Sequence, residues 1–225
     1  MVEALKDYIH FPESADDWLS ISAGFADRWS FPHVLGCIDG KHIKLRKPPK
    51  SGSQYFNYKG GFSTVLMAIC DSKYRFIYYD TGNFGDGGFP LSERIMKPFA
   101  GVTSKENATF NYRLSHARRV IENAFGILSN RWRILLKEIE TSPEFADDIV
   151  CAAIHLHNFL SEEEPFENRR SEPGDDEIQV MQSASQRQKN ANNATTRAKD
   201  IREVLKKYFN GEGAVPWQDD KIKSY

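Results

Sequence analysis

The 225-residue chain has no excess charge: Lys and Arg together number 30 and Asp and Glu 31, a net of −1. Nothing global therefore marks it as a binder of polyanions. Cysteine is scarce, and Cys37, Cys70 and Cys151 all lie in apolar runs. An odd number of such thiols argues against a disulfide scaffold and for a reducing compartment. No apolar run reaches the length that spans a bilayer, and no signal peptide opens the chain. There is no internal repeat. The expectation is a soluble intracellular protein with no membrane association, whose 40% apolar and 12% aromatic residues suffice for a packed core.

The charge that is present is segregated. No acidic residue occurs from Gly40 to Cys70, whereas His42, Lys44, Arg46, Lys47 and Lys50 all do. From Arg113 to Lys137 the single acid is Glu122, and Glu162 to Glu177 is acidic. A local basic face matters more to a polyanion than the total charge.

Periodicity lays out the elements. Ser14 is a candidate N-cap with Asp16 and Asp17 in the first turn, and Trp18, Ile21, Phe25 and Trp29 then recur at helical spacing as a core-facing stripe. Val34–Lys44 reads as a strand, Phe62–Cys70 as a strand buried on both faces, and Arg75–Asp80 as the return of a hairpin turned at Asp71-Ser72-Lys73. Between the first two, Lys47–Gly61 is a basic loop with Tyr55, Phe56 and Tyr58; a solvated connection and a contact to a nucleic-acid backbone both fit it. The glycine-rich stretch from Thr81 to Leu91 holds Asp86 between Gly85 and Gly87, and Ser92–Lys97 fits a short helix. Leu114–Leu135 has the strongest helical stripe, and Ser142-Pro143-Glu144 opens another helix that runs to about Leu160. His155, His157 and Cys151 on it have poor chelating spacing and read as structural. Residues 163–196 are polar enough to be a disordered linker, and Arg197–Phe209 is a last amphipathic helix, after which Val215 and Trp217 are placed to tuck onto the body.

The stretch VLGCIDGKHIKLR, Val34–Arg46, delivers Asp39 between Ile38 and Gly40 and leaves as a basic strand. It fits either a hairpin with an Asp at its bend or a strand-end carboxylate that holds a divalent metal beside a phosphate-binding surface. Glu122 likewise fits an ion pair with Arg118 and Arg119 one turn earlier. Taken together, however, Asp39, Asp86 and Glu122 are three carboxylates in three contexts: strand, glycine loop and basic helix. Such a set suits two divalent cations roughly 4 Å apart, and Mg²⁺ or Mn²⁺ prefers hard oxygen donors.

The motifs GCIDGKHI, NYKGGFS with the following strand and Asp71, GDGGFPL, SHARRVIENAFGILSNRWRIL, CAAIHLHNF and YFNGEGAVPWQ together resemble the DDE domain of PIF/Harbinger-type transposases and their domesticated, nuclease-like relatives. The resemblance spans about Val34 to Leu160. It implies an RNase H-like α/β fold with a mixed sheet flanked by helices. Asp39, Asp86 and Glu122 then stand at the catalytic metal-ligand positions, with Mg²⁺ or Mn²⁺ as cofactor. It further implies phosphodiester cleavage and strand transfer on DNA, a nuclear location, and a Myb-like protein as a partner. Lys44, Arg46, Lys47, Arg118 and Arg119 are the expected phosphate contacts. The organisation that follows is an N-terminal helical segment (1–33), the nuclease domain (34–162), the linker (163–196) and a C-terminal helix and tail (197–225).

Two departures stand out. Because the first strand is reached within forty residues, the family's helix-turn-helix region is expected to be absent, and sequence-specific recognition with it. Only Thr81–Gly85 separate the third strand from Asp86, whereas a parallel return needs a crossover of about a dozen residues and a strand about five more. The crossover helix and fourth strand are therefore expected to be deleted and the activity impaired. The competing readings are a catalytically silent, domesticated DNA-binding or protein-interaction protein, and a basic scaffold with no metal site.

Overall fold

Alternating side chains from Cys37 onward build the first strand, and the turn at Asp71 folds the next two into a hairpin. The computed structural model describes residues 5–82, 89–101, 104–163 and 194–222. Their strands are β1 (Cys37–Leu45), β2 (Phe62–Cys70) and β3 (Phe76–Gly82), in the order β1-β2-β3. Their helices are α1 (Ala15–Trp29), α2 (Lys105–Arg131), α3 (Pro143–Glu163), α4 (Thr196–Phe209) and α5 (Gln218–Ile222). This is a mixed α/β chain in two units. The described residues of the first fall within Met1–Arg28, Pro32–Asp86 and Arg119–Pro173; those of the second within Trp29–Phe31, Gly87–Arg118 and Gly174–Tyr225.

In the first unit both strand pairings are antiparallel, with Asp39 opposite Ala68 and Ala68 opposite Tyr79. The mixed sheet expected from the sequence is thus not what the named strands form. Among the described residues a parallel contact beside them is the isolated bridge between Leu45 and Ile139. The physical reason lies in the connections: a parallel neighbour needs a long crossover, and β3 runs on to Gly82, within a few residues of Asp86. Among the described residues β1 remains an edge strand.

One sheet face carries the buried Ile43, Leu66, Ala68, Cys70 and Phe76. Phe76 stacks on Phe125 of α2 at 5.9 Å and lies 5.1 Å from the His157 ring of α3. Asn158 of α3 holds the start of β3: the Phe76 N–H donates to its Oδ1 at 2.9 Å, and its Nδ2 donates to the Phe76 and Tyr8 carbonyls. Towards the other end of the chain, α1 opens with a reciprocal cap. The Asp17 N–H donates to Ser14 Oγ while the Ser14 N–H donates to Asp17 Oδ2, and this backbone bond holds the Asp17 carboxyl below its ordinary range.

Helix α2 starts nine residues earlier than the stripe at Leu114 implies, because Ser104 caps it by accepting from the Asn107 N–H. It ends at Arg131, where Trp132 leaves helical backbone (φ −109°, ψ 78°) and a 3₁₀ turn, Arg133–Leu136, carries Leu135 inward. The apolar stripe therefore outlasts the helix. No helix forms at Ser92–Lys97: Ser92 Oγ accepts from the Arg94 and Ile95 N–H groups and makes a turn, and Pro98 bars continuation.

In the second unit Phe209 of α4 packs on Phe31 and Phe110. Arg113, 1% exposed, lies between the rings of Phe209 (4.5 Å) and Trp217 (5.5 Å). Its guanidinium donates to the Gly213 carbonyl, Gln218 Oε1 and the Ser30 carbonyl. The tail thus packs as its Trp217 led one to expect. The linker expected at 163–196 lies almost wholly outside the described residues; Thr195, at its end, caps α4. No helix among the described residues is long and apolar enough to cross a membrane.

Candidate metal and nucleic-acid site

Asp39 is the third residue of β1, and the strand continues straight through Gly40 to Leu45. The reading of Asp39 as the bend of a hairpin is therefore excluded. Its side chain is half-buried, and the residue opposite it on β2 is the small Ala68. Glu122 is half-buried on the portion of α2 that belongs to the first unit, beside the buried Ile121. Both residues have interactions within the protein. The third expected ligand, Asp86, lies outside the described residues. Among the described residues no group of three or more His, Cys, Asp or Glu is placed to hold a metal ion. In donor type Asp39 and Glu122 suit Mg²⁺ or Mn²⁺; in number they fall short of a site by themselves.

Asp71 is the carboxylate whose work is structural. It is 3% exposed, its Oδ1 accepts from the Lys73 and Arg75 N–H groups, and its Oδ2 pairs with the Arg75 guanidinium at 2.8 Å. It braces the β2–β3 turn. The α3 histidines are also structural, as the sequence indicated. His157 Nε2 donates to the Tyr74 carbonyl, and His155 Nδ1 to the Leu5 carbonyl. That leaves His155 Nε2 to accept from the Tyr79 hydroxyl at 2.9 Å. Burial raises the Tyr79 hydroxyl and the Cys151 thiol above their ordinary ranges, so neither is primed as a nucleophile. Burial also raises Asp147, whose carboxylate accepts from Thr64 Oγ1 at 2.9 Å.

The expected phosphate contacts divide into two groups. Lys44, Arg46 and Lys47 are exposed along the end of β1 and beyond it. Arg46 forms a 3.0 Å ion pair with Glu140, with both side chains about two-thirds exposed, a pair that solvent screens and that a phosphate can displace. Arg118 and Arg119 are half-buried and already engaged within the protein. Sequence reasoning passed over Lys41 and Lys59. Lys41 is half-buried in β1, and burial together with the nearby Lys59 lowers its ammonium below the ordinary lysine range. Its neighbours in the acid-free stretch carried that signal, but burial of a strand lysine beside a second cation is a tertiary effect.

Residues 82–158 match the family model of the DDE superfamily endonucleases. That span begins at the end of β3 and takes in both Asp86 and Glu122. Among individual proteins, the chain is 23% identical over 221 residues to the cattle and human proteins named "Putative nuclease HARBI1", covering 81% of this chain and 63% of each of them. It is 24% identical over 180 residues to the Arabidopsis thaliana "Protein ALP1-like", covering 60% of this chain and 44% of that one. The likeness to Harbinger-type transposase derivatives read from the motifs is borne out by these matches. The chain spans about three-fifths of the length of the HARBI1 relatives it matches. No solved structure matches it.

Proposed function

We propose that this chain carries the core of a divalent-metal-dependent DNA nuclease of the DDE type, related to the RNase H-like fold and weakened by a shortening near residues 81–88. The observation that carries the reading is the endonuclease-family match from Gly82 to Asn158, containing Asp86 and Glu122, in a chain whose β1 holds Asp39 in mid-strand. Asp39, Asp86 and Glu122 would hold Mg²⁺ or Mn²⁺, which supplies water or hydroxyl activation and stabilisation of the leaving 3′ oxygen. Lys44, Arg46, Lys47, Arg118 and Arg119 would neutralise backbone phosphates without reading bases. Residues 34–162 form the nuclease part in this reading, 1–33 an N-terminal helical segment, 163–196 a linker and 197–225 a C-terminal helix and tail. A nuclear location and a Myb-like partner follow from the resemblance alone.

The weakening has a geometric cause. A two-metal site needs its carboxylates held to within about half an ångström. Asp39 has a strand and Glu122 a helix, whereas the sequence between β3 and Asp86 is too short for a crossover and a further strand to carry it. Calorimetric titration with Mn²⁺ tests the site: weak, saturable binding that Asp39→Ala removes is expected. Equal binding by wild type and Asp39→Ala, or none by either, would leave the catalytically silent DNA-binding reading in its place.

A further inference from the structure

The chain between β1 and β2 is shaped by its own side chains. Asn57 Oδ1 accepts from the Lys59 and Gly61 N–H groups, and the Asn57 N–H donates to the Gly61 carbonyl at 2.8 Å. Gly60 takes a φ of +81°, which a side chain would strain. Asn57 Nδ2 donates to Ser63 Oγ at 2.8 Å, and His42 Nδ1 meets the same hydroxyl at 2.8 Å. One serine thus ties the loop to both strands.

This braced turn presents what a core would normally hide. Tyr58 is 62% and Phe56 54% exposed, the first edge-on to His42 and the second edge-on to Phe62. Cations accompany the rings. Lys59 Nζ lies 5.5 Å from the Tyr58 centroid and Lys47 Nζ 5.8 Å from that of Phe62. No carboxylate is available from Gly40 to Cys70 to neutralise them. Exposed aromatics on a hydrogen-bonded turn with lysines beside their rings are the two parts of a single-strand binding surface. Bases stack on rings whatever their sequence, and the cations follow the backbone. A duplex keeps its base faces stacked inside and offers such rings little.

We propose that the loop from Lys47 to Gly61 is a stacking platform for unpaired DNA, with Phe56 and Tyr58 taking bases and Lys47 and Lys59 the phosphates. The proposal rests on the reading of this chain as a DNA-acting protein and names the form of DNA it prefers, strands melted or frayed.

The test is fluorescence anisotropy in EDTA, so that neither metal nor Asp86 enters. The probes are a labelled oligo-dT, an oligo-U and a duplex of the same length. Wild type should bind oligo-dT more tightly than duplex. Tyr58→Ala should weaken oligo-dT binding about fivefold or more, with duplex binding changed less than twofold, and Tyr58→Trp should restore it. Lys47→Ala should weaken both probes and lower the salt slope. Tyr58 is exposed, and thermal melts of each variant establish that the fold persists. Insensitivity of oligo-dT binding to both Tyr58→Ala and Phe56→Ala would overturn the platform while leaving the DNA reading intact. Tighter binding of oligo-U would overturn DNA as its ligand, and binding of no probe would overturn both readings.

Discussion

Ile139 lies alongside Leu45 in a parallel bridge: the Ile139 N–H donates to the Lys44 carbonyl at 2.9 Å, and the Arg46 N–H donates to the Ile139 carbonyl at 3.0 Å. This contact covers only the last residues of β1. It also fixes which backbone groups of the strand face outward, since by alternation Gly40 points the same way as Lys44 and Arg46. Among the described residues no strand runs along that edge from Cys37 to Ile43.

An edge of that length invites pairing with another chain. Concentration-dependent self-association should therefore be seen by sedimentation velocity, and Gly40→Pro should shift it towards monomer. The proline removes an outward N–H and leaves the β2 ladder intact. A Cβ at Gly40 meets only Val65 Cγ1, at 3.4 Å. Unchanged association in Gly40→Pro would show that the edge is not the sticking surface.

Lys41 sets stability against binding. Its folded-state pKa is lowered, first by burial and then by Lys59. The unfolded chain therefore binds more protons than the folded one in the window below the ordinary lysine value, and stability rises with pH there. Lys41→Met should raise the melting temperature by a few degrees at neutral pH, remove that alkaline gain and weaken oligonucleotide binding. A lower melting temperature would show that the ammonium is stabilised rather than strained.

Arg113 should be among the costliest substitutions in the second unit. Three neutral acceptors and two aromatic faces surround its guanidinium. Arg113→Ala should cost about 3 kcal/mol in chemical denaturation. Arg113→Lys should recover little of it, because an ammonium cannot reach acceptors arrayed for a planar fork. Full recovery by lysine would mean that charge alone is what the site requires.

The strand hairpin, the capped helices and the structural histidines were legible because each is written locally: Ser14 with Asp17, Asp71 at its turn, Ser142 before Pro143. The α2 boundaries were less legible. The Ser104 cap lies outside the apolar stripe, and Leu135 continues that stripe in a 3₁₀ turn. Arg113 looked like one more basic residue in a basic run; its burial depends on Ser30, Gly213 and Gln218, far apart in the chain. Of the candidate site, the strand under Asp39 and the helix under Glu122 were readable. Asp86, expected as the third ligand, falls outside the described residues.

Phosphate contact can be counted. Lys44→Ala, an exposed residue of β1, should weaken duplex and single-strand binding alike and lower the slope of log affinity against log salt by about one unit. A slope indifferent to salt, or strong preference for one base sequence, would contradict backbone contact.

Plasmid nicking in Mg²⁺ or Mn²⁺ by the wild-type chain, Asp39→Asn and Glu122→Gln tests the central claim most directly. With the DDE core shortened near residues 81–88, as proposed, wild type should rise only slightly above the protein-free control, with both substitutions erasing the small excess. Robust wild-type nicking abolished by both substitutions would contradict the account, since Asp86 would then be held in place without the strand that the shortening removes.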